Sequence, residues 1–185
     1  MTPLDADRRP VSILAISGSL RAASSNSALV QAAAATAVAG VEVSVYEGLA
    51  DLPPFNPDLD EGQGPAAVVR FRAALQACDA LLISSPEYAH GVPGVLKNAL
   101  DWVVGSGELI DKPVALINAS PRATHAQASL TETLTVMSAR VVPEASIAVP
   151  LAGRNLDATG ILAATELALA LRGALASLAA AVRPA

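Results

Sequence analysis

Short runs rich in β-branched residues alternate with alanine-rich, helix-forming stretches, and this alternation limits the possible folds more than any other feature. Strands are predicted at residues 11–16, 41–46, 80–83 and 113–118, with a broken fifth strand made by 141–142 and 147–149. Helices are predicted at 27–38, 66–77, 94–104, 126–137 and 157–182. Repeated strand–helix units produce a parallel sheet through right-handed crossovers, with helices on either side. The sequence therefore predicts an α/β fold, a five-stranded doubly wound parallel sheet with helices on both faces.

The size and charge of the chain limit its domain number and its partners. Its 185 residues fit one hydrophobic core, and 52% of them are hydrophobic. We therefore predict a single domain over residues 1–185, in which residues 1–10 form a flexible N-terminus. The net charge of −5 argues against a nucleic-acid partner, because nucleic-acid binding depends on dense Lys and Arg. A small-molecule ligand fits this composition better.

The chain shows no pattern of export or membrane insertion. Its first ten residues are polar and charged, without the apolar stretch of a signal peptide. The apolar stretch 160–182 is interrupted by Glu166 and Arg172, which favours a core-facing amphipathic helix over a membrane span. We therefore predict a cytoplasmic protein without a membrane span.

Thiol and metal chemistry are not predicted. Cys78 is the only cysteine, so an intrachain disulfide is impossible, and its place just before an apolar run predicts buried packing without a catalytic role. No cluster of Cys or His has the spacing of metal ligands, and His90 and His125 fall in separate loops.

The loop after the first strand is the strongest local candidate for a binding site. Ligands of doubly wound sheets bind beyond the carboxyl ends of the strands, which directs attention to the loops after strands one, three and four. Residues 17–27 place five hydroxyls, one amide and one guanidinium between a strand and a helix, a composition suited to an anion. Helix capping by Ser24, Ser25 or Asn26 explains part of this loop equally well. No GxGxxG fingerprint or Walker A lysine is present, so a mononucleotide phosphate is the better ligand.

The loop after the third strand makes the sequence recognisable. The relevant residues are Gly18-Ser19-Leu20-Arg21 with Ser24 and Asn26, then Pro86-Glu87-Tyr88, and then Pro93-Gly94, Leu96-Lys97-Asn98 and Asp101-Trp102. Together they resemble the NADPH-dependent FMN reductase family, which includes quinone and chromate reductases. The resemblance runs from the first strand to about Asn118. It implies a flavodoxin-like fold that binds FMN, with NADPH or NADH as the hydride donor, and a homodimer or homotetramer.

The resemblance also implies which residues bind FMN. The phosphate contacts fall on the first loop, at Ser19, Arg21, Ser24 and Asn26, with Ser25 and Ser27 as neighbours, and Ser17 completes the cofactor-binding residues of this loop. The isoalloxazine contacts fall on Pro86, Glu87, Tyr88 and the following backbone of Ala89, His90 and Gly91, while Ser120 and Arg122 meet the pyrimidine edge. The family commonly has Asn and Ser where this chain has Ala89 and Gly91, so two polar side chains are missing here. Lys97 and Asn98 are predicted to brace the loop, and Trp102 to serve packing or subunit contact.

The implied activity is FMN-dependent oxidation of NAD(P)H, with electrons passed to a flavin, a quinone or another small acceptor. Hydride transfer is chemistry of the cofactor, so no acid–base residue is required and no catalytic residue is assigned. Two alternatives stay open on the sequence alone: a flavodoxin-type electron carrier, and a flavin-free binding module on the same fold.

Overall fold

The computed structural model describes residues 9–62, 64–151 and 153–182. Its strands are β1 (Val11–Ser17), β2 (Val41–Tyr46), β3 (Ala80–Ser84), β4 (Pro113–Asn118), β5 (Arg140–Val141) and β6 (Ile147–Ala148). Its helices are α1 (Ser25–Ala35), α2 (Ala66–Ala77), α3 (Gly94–Asp101), α4 (Thr124–Val136), α5 (Ala158–Ala163) and α6 (Thr165–Val182).

All strand pairs are parallel, and the strand order is β2-β1-β3-β4-β5. The predicted doubly wound sheet is therefore confirmed, with the order found in flavodoxin-like folds. The order reverses between β1 and β3, because the chain leaves β1 toward β2 and returns to β3 on the other side. A crevice at the carboxyl ends of β1 and β3 follows from that reversal.

Alternate side chains of the central strands pack on opposite faces of the sheet. In β1, Ile13 and Ala15 belong to one buried cluster with α1 and α6, whereas Leu14 and Ile16 belong to another with α2 and α3. β3 and β4 divide in the same way. Continuous apolar strands are required because both faces are covered by helices. In contrast, β2 at the sheet edge alternates between half-buried and exposed residues over most of its length.

The C-terminal third differs from prediction in one helix. The broken fifth strand is confirmed as β5 and β6, which pair with the beginning and the end of β4. The single helix predicted at 157–182 is wrong, because the chain forms α5 and α6 with extended backbone at Ala164 (φ −82°, ψ 100°). The break lets α5 pack against α1 while α6 packs on the sheet.

Helix α6 carries much of one core cluster. Among the described residues it is the one helix long and apolar enough to cross a membrane, a weak indication that core helices also satisfy. Leu167, Leu171, Leu175 and Leu178 on this helix are buried in the cluster around α1. These leucines pack in the core, as predicted.

The N-terminus is described only from Arg9, so residues 1–8 of the predicted flexible segment lie outside the described residues. Arg9 forms a two-bond ion pair with Asp79 at 2.6 and 2.7 Å. Asp79 also accepts a hydrogen bond from the Ser12 backbone N–H at 2.9 Å. Nearby, Cys78 is buried, as predicted, and burial raises the pKa of its thiol.

The long segment between β2 and α2 is tied to α3. Asn98 accepts a hydrogen bond from the Phe55 backbone at 2.7 Å and donates one to the Pro53 carbonyl at 3.0 Å. Trp102 is fully buried and donates to the same carbonyl at 2.7 Å. The predicted packing role of Trp102 is therefore confirmed. Asn98 braces this segment and not the loop after β3 for which it was predicted, and Lys97 pairs with Asp101 on its own helix.

Candidate functional site

Three loops meet beyond the carboxyl ends of the central strands. We call them loop A (18–24, between β1 and α1), loop B (85–93, between β3 and α3) and loop C (119–123, between β4 and α4). They lie side by side because β1, β3 and β4 are adjacent and parallel. All site residues predicted from the sequence fall in these loops or at the adjoining ends of β1 and α1.

Loop A is organised by its own hydroxyl groups. Ser24 is the N-cap of α1, and its side chain accepts from the N–H groups of Asn26 at 3.2 Å and Ser27 at 3.4 Å. The Ser17 and Ser27 hydroxyls hydrogen-bond each other at 2.9 Å, which ties the end of β1 to the start of α1. The Ser19 hydroxyl accepts from the Arg21 backbone at 3.3 Å. The capping interpretation is therefore correct for Ser24, while the Ser25 hydroxyl and the Arg21 side chain make no hydrogen bond to the other described residues.

A buried polar contact joins loop A to β3. The Ser84 hydroxyl, which is fully buried, donates to the Asn26 side-chain oxygen at 2.9 Å. The Gly18 N–H donates to the Ser84 carbonyl at 2.8 Å. A side chain at Gly18 has no room, because a Cβ there would lie 2.8 Å from the Ser85 hydroxyl and 3.0 Å from Leu96. Loops A and B are therefore in close contact at their strand ends.

The first lobe of the site is a cleft of about 630 Å³ above loop A. Its wall is made mostly by loop A and the start of α1, with Pro86 and Tyr88 from loop B and a third side from 155–157. The α1 N-terminus has no acidic residue in its first turn, so its positive end is not neutralised locally. Within the described residues, the Arg21 guanidinium makes no ion pair or side-chain hydrogen bond. This donor set fits a phosphate group.

The second lobe is a smaller cleft of about 350 Å³ between loops B and C. It shares Ser25, Asn26 and Pro86 with the first lobe, so the two form one continuous site. Its remaining lining residues are Ser85, Glu87, Asn118, Ala119, Ser120, Arg122 and Ala123. This mixture of small apolar and polar side chains suits a ligand with both apolar and polar parts.

Asn118, at the end of β4, organises loop C. Its side chain accepts a hydrogen bond from the Ser120 backbone at 2.9 Å and donates one to the Ala123 carbonyl at 2.9 Å. The Ser120 hydroxyl in turn accepts from the Arg122 backbone at 3.3 Å. Loop C is therefore held in a compact turn, on which Arg122 is exposed.

Glu87 lines the second lobe, but its carboxylate is engaged with the protein. Its Oε2 accepts a hydrogen bond at 2.8 Å from the backbone N–H of Ala126, in the first turn of α4. The contact crosses from loop B to the element that follows loop C.

The tip of loop B is a tight turn in the left-handed backbone region. Tyr88 and Gly91 are joined by two backbone hydrogen bonds, and the residues between them, Ala89 and His90, have φ of 49° and 60°. Such two-residue turns favour Asn and Gly, so Ala89 is strained here. Ala89, His90 and Gly91 are not among the residues that line either lobe, whereas Tyr88 lines the first lobe and is 57% exposed.

His90 and His125 are in contact although they lie in separate segments of the chain. Their rings stack with centroids 4.1 Å apart and planes 7° from parallel. The stack joins loop B to the first turn of α4, beside the contact made by Glu87. Separation along the sequence was therefore a poor guide to the distance between these rings.

Several lining residues were missed by sequence reasoning. Ser85 and Asn118 stand at or just beyond the carboxyl ends of β3 and β4, so the position rule for parallel sheets was sufficient to find them. The segment 155–157 gave no such signal, because it reaches the first lobe only through the packing of α5 on α1. Its Asp157 caps α5 by accepting from the Gly160 N–H at 2.8 Å, which directs the carboxylate toward that helix.

Comparison with known proteins gives a family match over most of the chain. A family model described as NADPH-dependent FMN reductase matches residues 11–153. An NAD(P)H-dependent FMN reductase of Pseudomonas aeruginosa is 35% identical over 157 residues, covering 82% of this chain and 84% of that protein. A quinone reductase of Escherichia coli is 35% identical over 104 residues, which is 56% of this chain and about half, 54%, of that protein.

Solved structures give the same result for the fold. FerB of Paracoccus denitrificans, described as a flavoenzyme NAD(P)H:(acceptor) oxidoreductase, superposes with a TM-score of 0.76 at 27% identity. The superposition covers 93% of this chain and 97% of FerB.

Proposed function

Because this chain belongs to the NADPH-dependent FMN reductase family and is an FMN-dependent NAD(P)H oxidoreductase, we propose that loops A, B and C together hold its FMN. The observation that carries this proposal is the two-lobed cleft at the switch point of the sheet. An anion-binding loop there adjoins a smaller cleft between two further loops. The phosphate of FMN would lie in the first lobe and its ring would extend into the second.

Loop A supplies the donors for the phosphate. The Arg21 guanidinium, the Ser25 hydroxyl and the positive end of α1 converge on the first lobe. Ser19 and Ser24 shape the loop, while Ser17 and Ser27 join its two ends. The ring would lie against Pro86 and Tyr88, with Ser120 and Arg122 at its polar edge.

Bound FMN supplies the hydride acceptance and electron release, so the chain itself need not provide an acid or a base. The role of the protein is to bind and orient. Arg122 places a positive charge beside the second lobe, where it would favour an anionic ring. Tyr88 lines the first lobe and is more than half exposed, so NAD(P)H and then the acceptor would approach the ring on this side.

The acceptor is a quinone, a flavin or a similar small molecule, which agrees with the FMN reductase and quinone reductase among the relatives of this chain. We also propose that the protein forms a homodimer or homotetramer and that it works in the cytoplasm. Sedimentation equilibrium checks the assembly, and a monomer at micromolar concentration would contradict that part of the proposal.

Anaerobic stopped-flow absorbance tests the activity directly. FMN-loaded protein is mixed with NADPH and, separately, with NADH, and the visible flavin band is followed. We expect rapid bleaching with at least one donor, and recovery of the band when a quinone or free flavin is added. Colour that persists with both donors would favour an electron carrier, and failure to bind FMN would favour a flavin-free binding module.

A further inference from the structure

Helix α4 begins without a cap of its own. Its N-cap residue is Ala123, which has no side-chain acceptor, and the first turn contains no Asp or Glu. The first N–H groups of a helix have no partner within the helix, and acceptors or negative charge at this end are stabilising. Helix α4 therefore depends on another part of the protein to satisfy its first turn.

Glu87 supplies that acceptor from loop B. Its Oε2 lies 2.8 Å from the N–H of Ala126, which is 39 residues away in the sequence. The carboxylate also brings a negative charge to the positive end of the helix. The contact is equivalent to an N-cap bond, but it joins two different walls of the second lobe.

A second contact joins the same two segments. His90, three residues after Glu87, stacks on His125, the residue before Ala126, with ring centroids 4.1 Å apart. Loop C lies directly before this turn of α4, and its other end is held by Asn118. Loop C is thus fixed to β4 at one end and to loop B at the other.

We propose that Glu87 is a positioning residue that acts through α4 and loop C rather than by touching the cofactor. By capping α4, it sets the distance between loops B and C and so places Ser120 and Arg122 at the second lobe. The expected effect on FMN binding rests on the proposed function. The capping contact itself is made within the protein and does not depend on FMN.

Hydrogen exchange of the cofactor-free full-length protein tests the contact. Glu87→Ala should increase the exchange rate of the Ala126 amide and of its neighbours in the first turn of α4. Glu87→Gln, which keeps an acceptor oxygen, should restore much of the protection. Glu132→Ala is the matched control, since Glu132 is an exposed carboxylate later on the same helix and should leave the Ala126 amide unchanged. An unchanged Ala126 amide in Glu87→Ala would overturn the proposal.

Flavin titration tests the positioning role. Glu87→Ala should weaken FMN binding roughly 2- to 30-fold, the range that the loss of a helix cap implies. Combination with Arg122→Ala should be non-additive, because Glu87 places loop C. Combination with Arg21→Ala should be additive, because loop A does not depend on this contact. If Glu87→Ala weakens FMN binding and its effect adds to that of Arg122→Ala, Glu87 contacts FMN directly. That result would overturn the proposal.

The two measurements separate this inference from the proposed function. If the wild-type protein fails to bind FMN, the proposed function fails and the positioning role toward FMN fails with it. Exchange in the cofactor-free protein still shows whether Glu87 caps α4. If FMN binds normally but the Ala126 amide is insensitive to Glu87, the proposed function stands and this inference fails.

Discussion

Loops A and B are tightly packed at Gly18, and Gly18→Ala is a direct perturbation of their contact. An added Cβ would lie 2.8 Å from the Ser85 hydroxyl, 3.1 Å from the Ser85 Cβ and 3.0 Å from a Leu96 methyl. Ordinary non-bonded carbon contacts are about 3.5–4.0 Å, so loops A and B must move apart by roughly half an ångström or more. Rotation of the Ser85 hydroxyl does not relieve the contact with the Ser85 Cβ, and Leu96 is fully buried.

The expected cost is that of an overpacked core, about 1–3 kcal/mol in the free energy of unfolding. For a chain of this length that corresponds to a fall in melting temperature of about 2–4 °C for each kcal/mol. FMN affinity should fall as well, because the Gly18 contact sets the spacing of loops A and B.

Urea unfolding of the cofactor-free protein measures the effect, with the fluorescence of buried Trp102 as the probe. Gly173→Ala is the matched control, because Gly173 lies inside α6 and a Cβ there meets no atom within 4 Å. That substitution should stabilise the protein by about 0.5–1 kcal/mol, since alanine is the better helix former.

Removal of the obstructing side chain provides the rescue. Ser85→Gly in the Gly18→Ala background removes two of the three close contacts and should recover a substantial part of the lost stability. The reasoning would be refuted if Gly18→Ala were as stable as the wild type, or if Ser85→Gly added only a further loss.

Three other predictions concern separate parts of the molecule. Arg21→Ala should weaken FMN binding by about 1.5–3 kcal/mol in a calorimetric titration. Arg172 is exposed on α6, and Arg172→Ala should leave the affinity for FMN unchanged. Unchanged affinity in Arg21→Ala would remove Arg21 from the phosphate site. The pKa of Asp79 is lowered, chiefly by the hydrogen bonds that Arg9 donates to its carboxylate. The stability that ionised Asp79 contributes is therefore complete at neutral pH, and it is lost as the pH falls through that lowered pKa. In urea unfolding at a series of pH values, the stability gap between wild type and Asp79→Asn should therefore narrow below about pH 4, and a constant gap would contradict this. Ala89→Gly should stabilise the protein by about 1 kcal/mol by relieving the left-handed backbone, and a loss of stability would show that the turn is not strained.

Much of the fold and part of the site follow from local sequence patterns. The strands at 80–83 and 113–118 are continuous apolar runs, and that pattern predicts parallel strands covered on both faces. Loop A is equally local, since its hydroxyls and Arg21 occupy consecutive positions between one strand and one helix. Ser24 was recognisable as a helix cap because its bonds reach only two and three residues along the chain.

Contacts between distant segments were decided only by the tertiary structure. Whether Glu87 faces the cleft or caps α4 depends on how the chain places the start of α4 beside loop B. The stacking of His90 on His125 and the approach of 155–157 to the first lobe depend on that same packing. The break at Ala164 also belongs here, because the residues on either side of it favour helix and the separation of α5 from α6 accompanies the packing of α5 on α1.

The sequence by itself determined the strands, most of the helices, their order along the chain and the loop that suits a phosphate. These properties depend on residue periodicity and on hydrogen bonds that span a few residues, both of which are present in the linear chain. The tertiary structure alone decided which loops share a cleft wall and which side chains connect them. Those choices depend on crossovers and packing that bring residues 35 or 39 positions apart, such as His90 and His125 or Glu87 and Ala126, to within contact.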